Sequence, residues 1–167
     1  MMNQGPFHDE YCLSGCRLVR LRAEDARPVA SMLAGMSPWL DLGYSAMQLE
    51  HYLSAHDPSL HRYTVMVDAL IAGVVAVRYP WLRGSYLELI GLCPDQQGRG
   101  LGTAILYWME RETETLAMNC WVLVSSFNDS ARRFYLRQGF REITTLEALV
   151  SRHSNELLLR KVLRLPA

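Results

Sequence analysis

The stretch that decides the fold is Cys93 to Met109, CPDQQGRGLGTAILYWM. A proline ends an apolar run, a short polar loop follows with glycines at every second position (Gly98, Gly100 and Gly102), and the chain then reads as a helix. One glycine would serve a simple turn. A helix N-terminus carries unpaired backbone N–H groups and a partial positive charge, which makes it a seat for phosphate. Glycines remove the Cβ atoms that would fend off an anion and permit turns that aim successive N–H groups inward, while Arg99 adds a local charge. The plain alternative is a flexible strand-to-helix turn with a glycine near the N-cap. Two familiar phosphate loops are excluded. No Lys-Ser or Lys-Thr pair follows the last glycine, and the spacing is G-x-G-x-G rather than G-x-G-x-x-G.

Outward from this loop, the composition bounds the class. The chain has 167 residues, half of them hydrophobic, enough for one domain with a substantial core. Lys plus Arg equals Asp plus Glu at 17 each, so no global field holds a nucleic acid or an anionic membrane, and any anion must be gripped locally. No apolar run approaches the roughly 18 residues of a membrane span, and the N-terminus lacks a basic start and a signal-length apolar stretch; the expected location is the cytoplasm. Cys12, Cys16, Cys93 and Cys120 are too few and too irregular for a disulfide framework. The histidines show no metal spacing, and no metal is expected.

Before the loop, residues 1–15 read as a flexible N-terminal tail, and residues 16–167 as a single domain. Cys16 to Arg22 alternates like an edge strand, and Glu24 to Met36 and Ser45 to His56 carry apolar residues at helical spacing. His61 to Val67 and Leu70 to Tyr79 predict a hairpin across Asp68-Ala69, and Ser85 to Cys93 predicts a third strand antiparallel to it. After the loop come a helix from Gly100 to about Ala117, a strand Trp121 to Ser125, a helix Asp129 to Gln138, and strands near Phe140 to Leu146 and Glu156 to Leu163. Antiparallel strands ahead of the glycine loop argue against a dinucleotide-binding fold.

With these surroundings, the loop resembles the acetyl-CoA loop of the GNAT superfamily of N-acetyltransferases. Gln97, Gly100 and Gly102 fill its pattern, and LELIGLCPD is similar to the strand that precedes it. A second block agrees: in SSFNDSARRFYLRQGF, Asn128, Ala131, Phe134, Tyr135, Gly139 and Phe140 match the family's other cofactor segment. The resemblance covers nearly all the chain beyond the tail. It implies an α+β fold with a mixed, mainly antiparallel central sheet of about seven strands, flanked by about four helices. It implies acetyl-CoA as co-substrate, its pyrophosphate wrapped by Gly98, Arg99, Gly100, Leu101, Gly102 and Thr103, with Gln97 in the same loop. The pantetheine arm would pair with the backbone of Ile90, Gly91 and Leu92, which requires that strand and Trp121 to Ser125 to part at one end. Gly91 marks where a bulge or close approach is tolerated, and Asn128 would help hold the cofactor.

Acetyl transfer to an amine makes three demands. The amine, with a pKa of roughly 10.4, must lose a proton. Glu88 is the candidate base: it lies among Tyr86, Leu87, Leu89 and Ile90, and strand alternation puts Glu88, Ile90 and Leu92 on one face. The alternative for Glu88 is an ion pair with Arg78 or Arg83. An oxyanion needs a donor, for which a backbone N–H near Leu92 serves. The departing thiolate needs a proton, and Tyr135 matches the family tyrosine that gives it.

The resemblance sets the acceptor site between SPWLDLGYS and YPWLRG, where Trp39, Tyr44, Tyr79 and Trp81 are candidates for an aromatic wall. The acceptor is a small-molecule or peptide amine; nucleic acid and membrane are not expected partners, and a homodimer stays open. A non-catalytic module that senses CoA or binds a partner is the alternative function, and the presence of both Tyr135 and Glu88 favours the enzyme.

Overall fold

The computed structural model describes residues 5–167; residues 1–4, the start of the expected tail, lie outside the described residues. In chain order the first half comprises β1 (Glu10–Leu13), β2 (Cys16–Arg20), α1 (Ala23–Ala34), α2 (Ala46–Ser54), β3 (Leu60–Val67), β4 (Leu70–Trp81) and β5 (Gly84–Leu92). The second half comprises α3 (Leu101–Thr113), β6 (Asn119–Ser125), α4 (Asp129–Arg137), β7 (Arg141–Ser151) and β8 (Ser154–Val162). All eight strands form one sheet in the order β1-β2-β3-β4-β5-β6-β8-β7, antiparallel except for β5 beside β6. This is the expected mixed sheet with four α-helices among the described residues, one strand larger than the expected seven. No helix among them is long and apolar enough to cross a membrane.

The extra strand corrects the reading of residues 5–15 as loose. β1 pairs with β2 through a turn in which Gly15 takes a φ of 84°, and Phe7 ahead of it is 4 % exposed. The Phe7 ring stacks on His61 at 4.5 Å and its N–H donates to Glu112 Oε1 at 2.8 Å. Buried Phe7, with Tyr11 and Leu13 packed against the same core, anchors a segment whose other residues are mostly small or polar, which is why composition alone misreads it.

Local chemistry explains the elements that carry the site. Ser45 starts α2 with a reciprocal cap, its hydroxyl accepting from Gln48 N–H while the Gln48 side chain reaches back to the Ser45 N–H. Asp68 and Ala69, at φ 47° and 63°, both adopt the left-handed conformation that a two-residue hairpin requires. α1 and α2 cover one face of the sheet through Val29, Leu33, Leu49 and Leu53 against Val74, Ala76 and Leu89. On the other face, α3 and α4 pack Ile105, Met109 and Tyr135 against Val75, Val77, Leu87 and Val122.

Leu87 and Leu89 therefore face opposite sides of the sheet although they are two residues apart. The cause is a bulge: Val77 pairs with Leu87 and Ala76 with Leu89, so Glu88 is an extra residue with no partner on β4. This reverses the alternation and corrects the expected shared face. Glu88 turns toward α2, where it meets Tyr52, whereas Ile90 and Leu92 pack on the α3 and α4 side. The bulge falls at Glu88 rather than at Gly91.

Candidate active site

β5 and β6 are hydrogen-bonded only from Gly84–Asn119 to Leu87–Val122, yet β5 continues to Leu92 and β6 to Ser125. Beyond the bulge the two strands part, as the cofactor reading required. The Cys93 N–H donates to Ala72 O on β4, and the Gly91 carbonyl lies against Gly73 of the same strand. Backbone groups alternate sides along a strand, so those of Ile90 and Leu92 turn into the gap while those of Gly91 do not. Gly91 serves a close approach instead: a Cβ there would stand 2.3 Å from Leu33 Cδ2 and 3.0 Å from the Trp39 ring. Of the three residues expected to pair with a pantetheine arm, Ile90 and Leu92 turn their backbone groups into the gap and Gly91 turns its own toward β4.

A cleft follows the gap in two halves. The larger, about 910 Å³, is bordered by Leu92, Gln97, Gly98, Gly100, Leu101, Gly102 and Thr103 on one side and by Asn128, Phe134 and Arg137 on the other. Gly98 and Gly100 have φ of 71° and 82°, and nothing lies within 4 Å of where a Cβ would be, so the loop faces open space in a conformation that side chains disfavour. Gly100 is the N-cap of α3, whose free N–H groups and dipole end there. Gly102 has a different reason: its Cβ would stand 3.1 Å from Phe134 Cζ. This open, positive cradle fits a pyrophosphate. Gln97 Nε2 donates to Leu92 O at 3.0 Å and fixes the loop to the strand end. Arg99 departs from expectation: it is exposed, does not border the cleft, and donates to Gln96 Oε1 at 2.7 Å. Arg137, from the last turn of α4, is the arginine that borders this half, and nothing in the glycine motif pointed to it.

The smaller half, about 360 Å³, lies on the other side of the gap. Trp39 and Tyr44 border it as expected, together with Tyr52, Tyr86, Glu88 and Glu156. Tyr79 and Trp81 do not: Tyr79 packs near Phe7, and Trp81 lies against Tyr86 at 4.7 Å and edge-on to Trp121. β4 carries both toward the far end of the sheet, away from the parted strands. Asn128 and Tyr135 border both halves. Asn128 caps α4, its Oδ1 accepting from the Ala131 N–H at 3.2 Å. Tyr135 is 6 % exposed, and burial pushes its phenol up, so it stays protonated at neutral pH.

The carboxylates of the smaller half differ in their partners. Glu88 accepts from Arg78 Nε at 2.5 Å, from Arg78 Nη2 at 3.1 Å and from the Tyr52 hydroxyl at 3.0 Å. The ion pair named as the alternative for Glu88 is formed, with Arg78. Arg78 also donates to Asp57 Oδ2 at 2.8 Å, and that bond foremost holds the Asp57 carboxyl below the usual range. Glu156, on β8, is 5 % exposed and accepts from Ser125 Oγ at 2.9 and 3.2 Å; burial pushes its carboxyl up against the lowering effect of that hydroxyl. Sequence reading overlooked it, because Ser125 and Glu156 meet only through the pairing of β6 with β8.

Comparison with known proteins agrees with this architecture. The fold is similar to that of an acetyltransferase from Thermus thermophilus, with 20 % identity over 87 % of this chain and 95 % of that one and a TM-score of 0.70. It is similar to the ribosomal-protein-S18-alanine N-acetyltransferase of Escherichia coli, with 17 % identity, coverage of 90 % and 95 %, and a TM-score of 0.71. A spermidine N-acetyltransferase from Vibrio cholerae, solved with CoA and spermine, gives 21 % identity, coverage of 89 % and 96 %, and a TM-score of 0.70. Sequence comparison with curated proteins gives no significant match. The model of the acetyltransferase (GNAT) family matches residues 19–140, a span that runs from β2 through the glycine loop to the end of the α4 segment. The chain belongs to the GNAT family of acetyltransferases and is an acyltransferase.

Proposed function

We propose that the protein transfers an acetyl group from acetyl-CoA to a primary amine of a small molecule or peptide, by direct attack in a ternary complex. The observation that carries this reading is the parting of β5 from β6, with the glycine loop at one side of the opening and Tyr135 bordering both sides. The amides from Gly98 to Thr103 hold the pyrophosphate, with Arg137 beside them, and Asn128 lies along the cofactor path. The backbone groups of Ile90, and the second lone pair of the Leu92 carbonyl beside its bond from Gln97, pair with the amides of the pantetheine arm. Acetyl-CoA supplies a thioester carbonyl at the junction of the two halves. The Leu92 N–H donates to that carbonyl oxygen as charge develops on it. Tyr135 gives its phenolic proton to the departing sulfur, and its buried position keeps that proton available.

The acceptor half suits a cation. Trp39, Tyr44, Tyr52 and Tyr86 offer aromatic faces, and Glu88 and Glu156 border the same space. Two of the similar structures bear names that identify amine acetylation, of spermidine and of a ribosomal-protein alanine, and both fit an acceptor of this kind. Thiol release from acetyl-CoA, followed with spermidine, tyramine and alaninamide, tests the reading. Release that depends on one of these amines is expected. Tight acetyl-CoA binding with no release by any of them favours a CoA-sensing module instead.

A further inference from the structure

The smaller half of the cleft holds two carboxylates among the described residues, and only Glu88 has a cation. Glu88 is engaged by Arg78 in a two-pronged pair and by Tyr52, so its lone pairs are largely occupied. Glu156 has, among the described residues, only the Ser125 hydroxyl as a side-chain partner. Among the described residues bordering this half of the cleft, none is a lysine, arginine or histidine. A carboxylate buried to this degree is costly unless it meets a positive group or takes up a proton.

We propose that Glu156 is the general base of the reaction: it binds the acceptor as its ammonium form and receives the proton that frees the nitrogen for attack. This rests on the acetyl-transfer reading above. In the step, an N–H bond of the ammonium breaks, its electron pair stays on nitrogen, and an O–H bond forms on Glu156. The neutral amine then forms the C–N bond as the C–S bond breaks and Tyr135 gives its phenolic proton to sulfur. The acylated nitrogen sheds its second proton, which restores the Tyr135 phenol, so the products are the amide, the CoA thiol and protonated Glu156. The pocket favours the proton transfer because it neutralises a carboxylate that is itself largely withdrawn from solvent. In such a site an ammonium is both the natural partner of Glu156 and its proton donor.

The groups that face Glu156 leave this role open. Its register neighbours are Ser125 on β6 and Leu146 on β7, neither of them charged. Tyr86 of β5 borders the same space, its phenol pushed up first by burial and then by the charges of Glu88 and Glu156. Tyr135 comes from α4, Tyr52 from α2, and Glu88 from β5 with Arg78 of β4 neutralising it. Burial also holds the Glu156 carboxyl above the ordinary glutamate value of roughly 4.3, closer to the pH at which a base must work. The charge pattern also selects substrate. An amine with a free carboxylate beside its nitrogen meets two acids and no cation, so alaninamide is favoured over alanine.

The test uses the full chain, with acetyl-CoA binding measured on every variant. Glu156→Gln keeps the volume and the bond to Ser125. It is expected to bind acetyl-CoA as the wild type does, to lose about 10²- to 10⁴-fold in kcat/KM for the best of tyramine, spermidine and alaninamide, and to lose the acidic limb of the pH profile. Ser125→Ala removes the bond that favours the ionised carboxyl and should move that limb to higher pH. If Glu156→Gln keeps the limb, or Glu88→Gln loses it, the assignment is overturned. If acetyl-CoA binds but no amine reacts, the acetyl-transfer reading is what fails. Glu156 is then judged by carboxyl ¹³C titration, with the resonance assigned by its loss in Glu156→Gln. A resonance titrating in the ordinary glutamate range, or unmoved by all three amines, overturns the proposal.

Discussion

The two halves of the cleft are built in opposite ways. The cofactor half is backbone: Leu92 through Thr103 form one continuous segment, and what matters there is left-handed φ at Gly98 and Gly100, a helix N-terminus, and freed strand edges at Ile90 and Leu92. The acceptor half is side chains: Trp39 and Tyr44 from the segment between α1 and α2, Tyr52 from α2, Tyr86 and Glu88 from β5, Tyr135 from α4, and Glu156 from β8. Backbone recognition depends on conformation and tolerates many sequences that keep the glycines. Side-chain recognition depends on a few exchangeable groups, so the acceptor half is where specificity is free to change while the cofactor half stays fixed.

Three substitutions break this contrast at different points. The largest effect is expected where the halves meet. Tyr135→Phe keeps the ring and its packing against Phe134 and Phe140 but removes the proton donor, so turnover should fall by about 10²- to 10⁴-fold with acetyl-CoA affinity nearly unchanged. Steady-state rates beside a binding isotherm separate the two. Full kcat in this variant would mean that water or another group protonates the thiolate. Next is the loop: a β-branched residue at Gly100 must adopt a φ of 82°, which costs about 1 to 3 kcal/mol or distorts the N-cap. It should harm cofactor binding and leave the acceptor half intact.

The smallest effect on catalysis is expected at Glu88. Glu88→Gln leaves Arg78 with Asp57 and half of its former pair, so a loss of about 1 to 2 kcal/mol in stability is expected, a drop of a few degrees in Tm. The acidic limb of the rate profile should remain, because it belongs to Glu156. Since burial raises the Glu156 pKa, the limb lies above the ordinary glutamate range, and activity falls as pH drops through it. A Glu88→Gln enzyme with unchanged Tm and no acidic limb would exchange the roles assigned to the two carboxylates.

The same contrast governs what the sequence made legible. Gly98, Gly100 and Gly102, Asn128 and Tyr135 sit in two contiguous blocks, so the order of elements and the glycine-lined turn ahead of α3 could be read from local sequence. The acceptor half could not. A single extra residue at Glu88 reverses the strand alternation, and no periodicity reveals a bulge before the partner strand is known. Glu156 gains its surroundings from Ser125, 31 residues away, once β8 returns beside β6. Tyr79 and Trp81 have the right chemistry and the wrong place, because β4 runs past the cleft rather than into it. Phe7 and Tyr11 show the converse, two aromatics that order a weakly apolar segment through contacts more than 50 residues away.

The central claim is that acetyl-CoA binds along the parted strands with its phosphates on the glycine loop. Titration calorimetry with acetyl-CoA on the wild-type chain and on Gly100→Val, each shown to be folded by its thermal transition, tests this most directly. The account predicts saturable one-to-one binding by the wild type and at least about tenfold weaker binding by the variant. No binding by the folded wild type, or equal affinity in the two proteins, would contradict it.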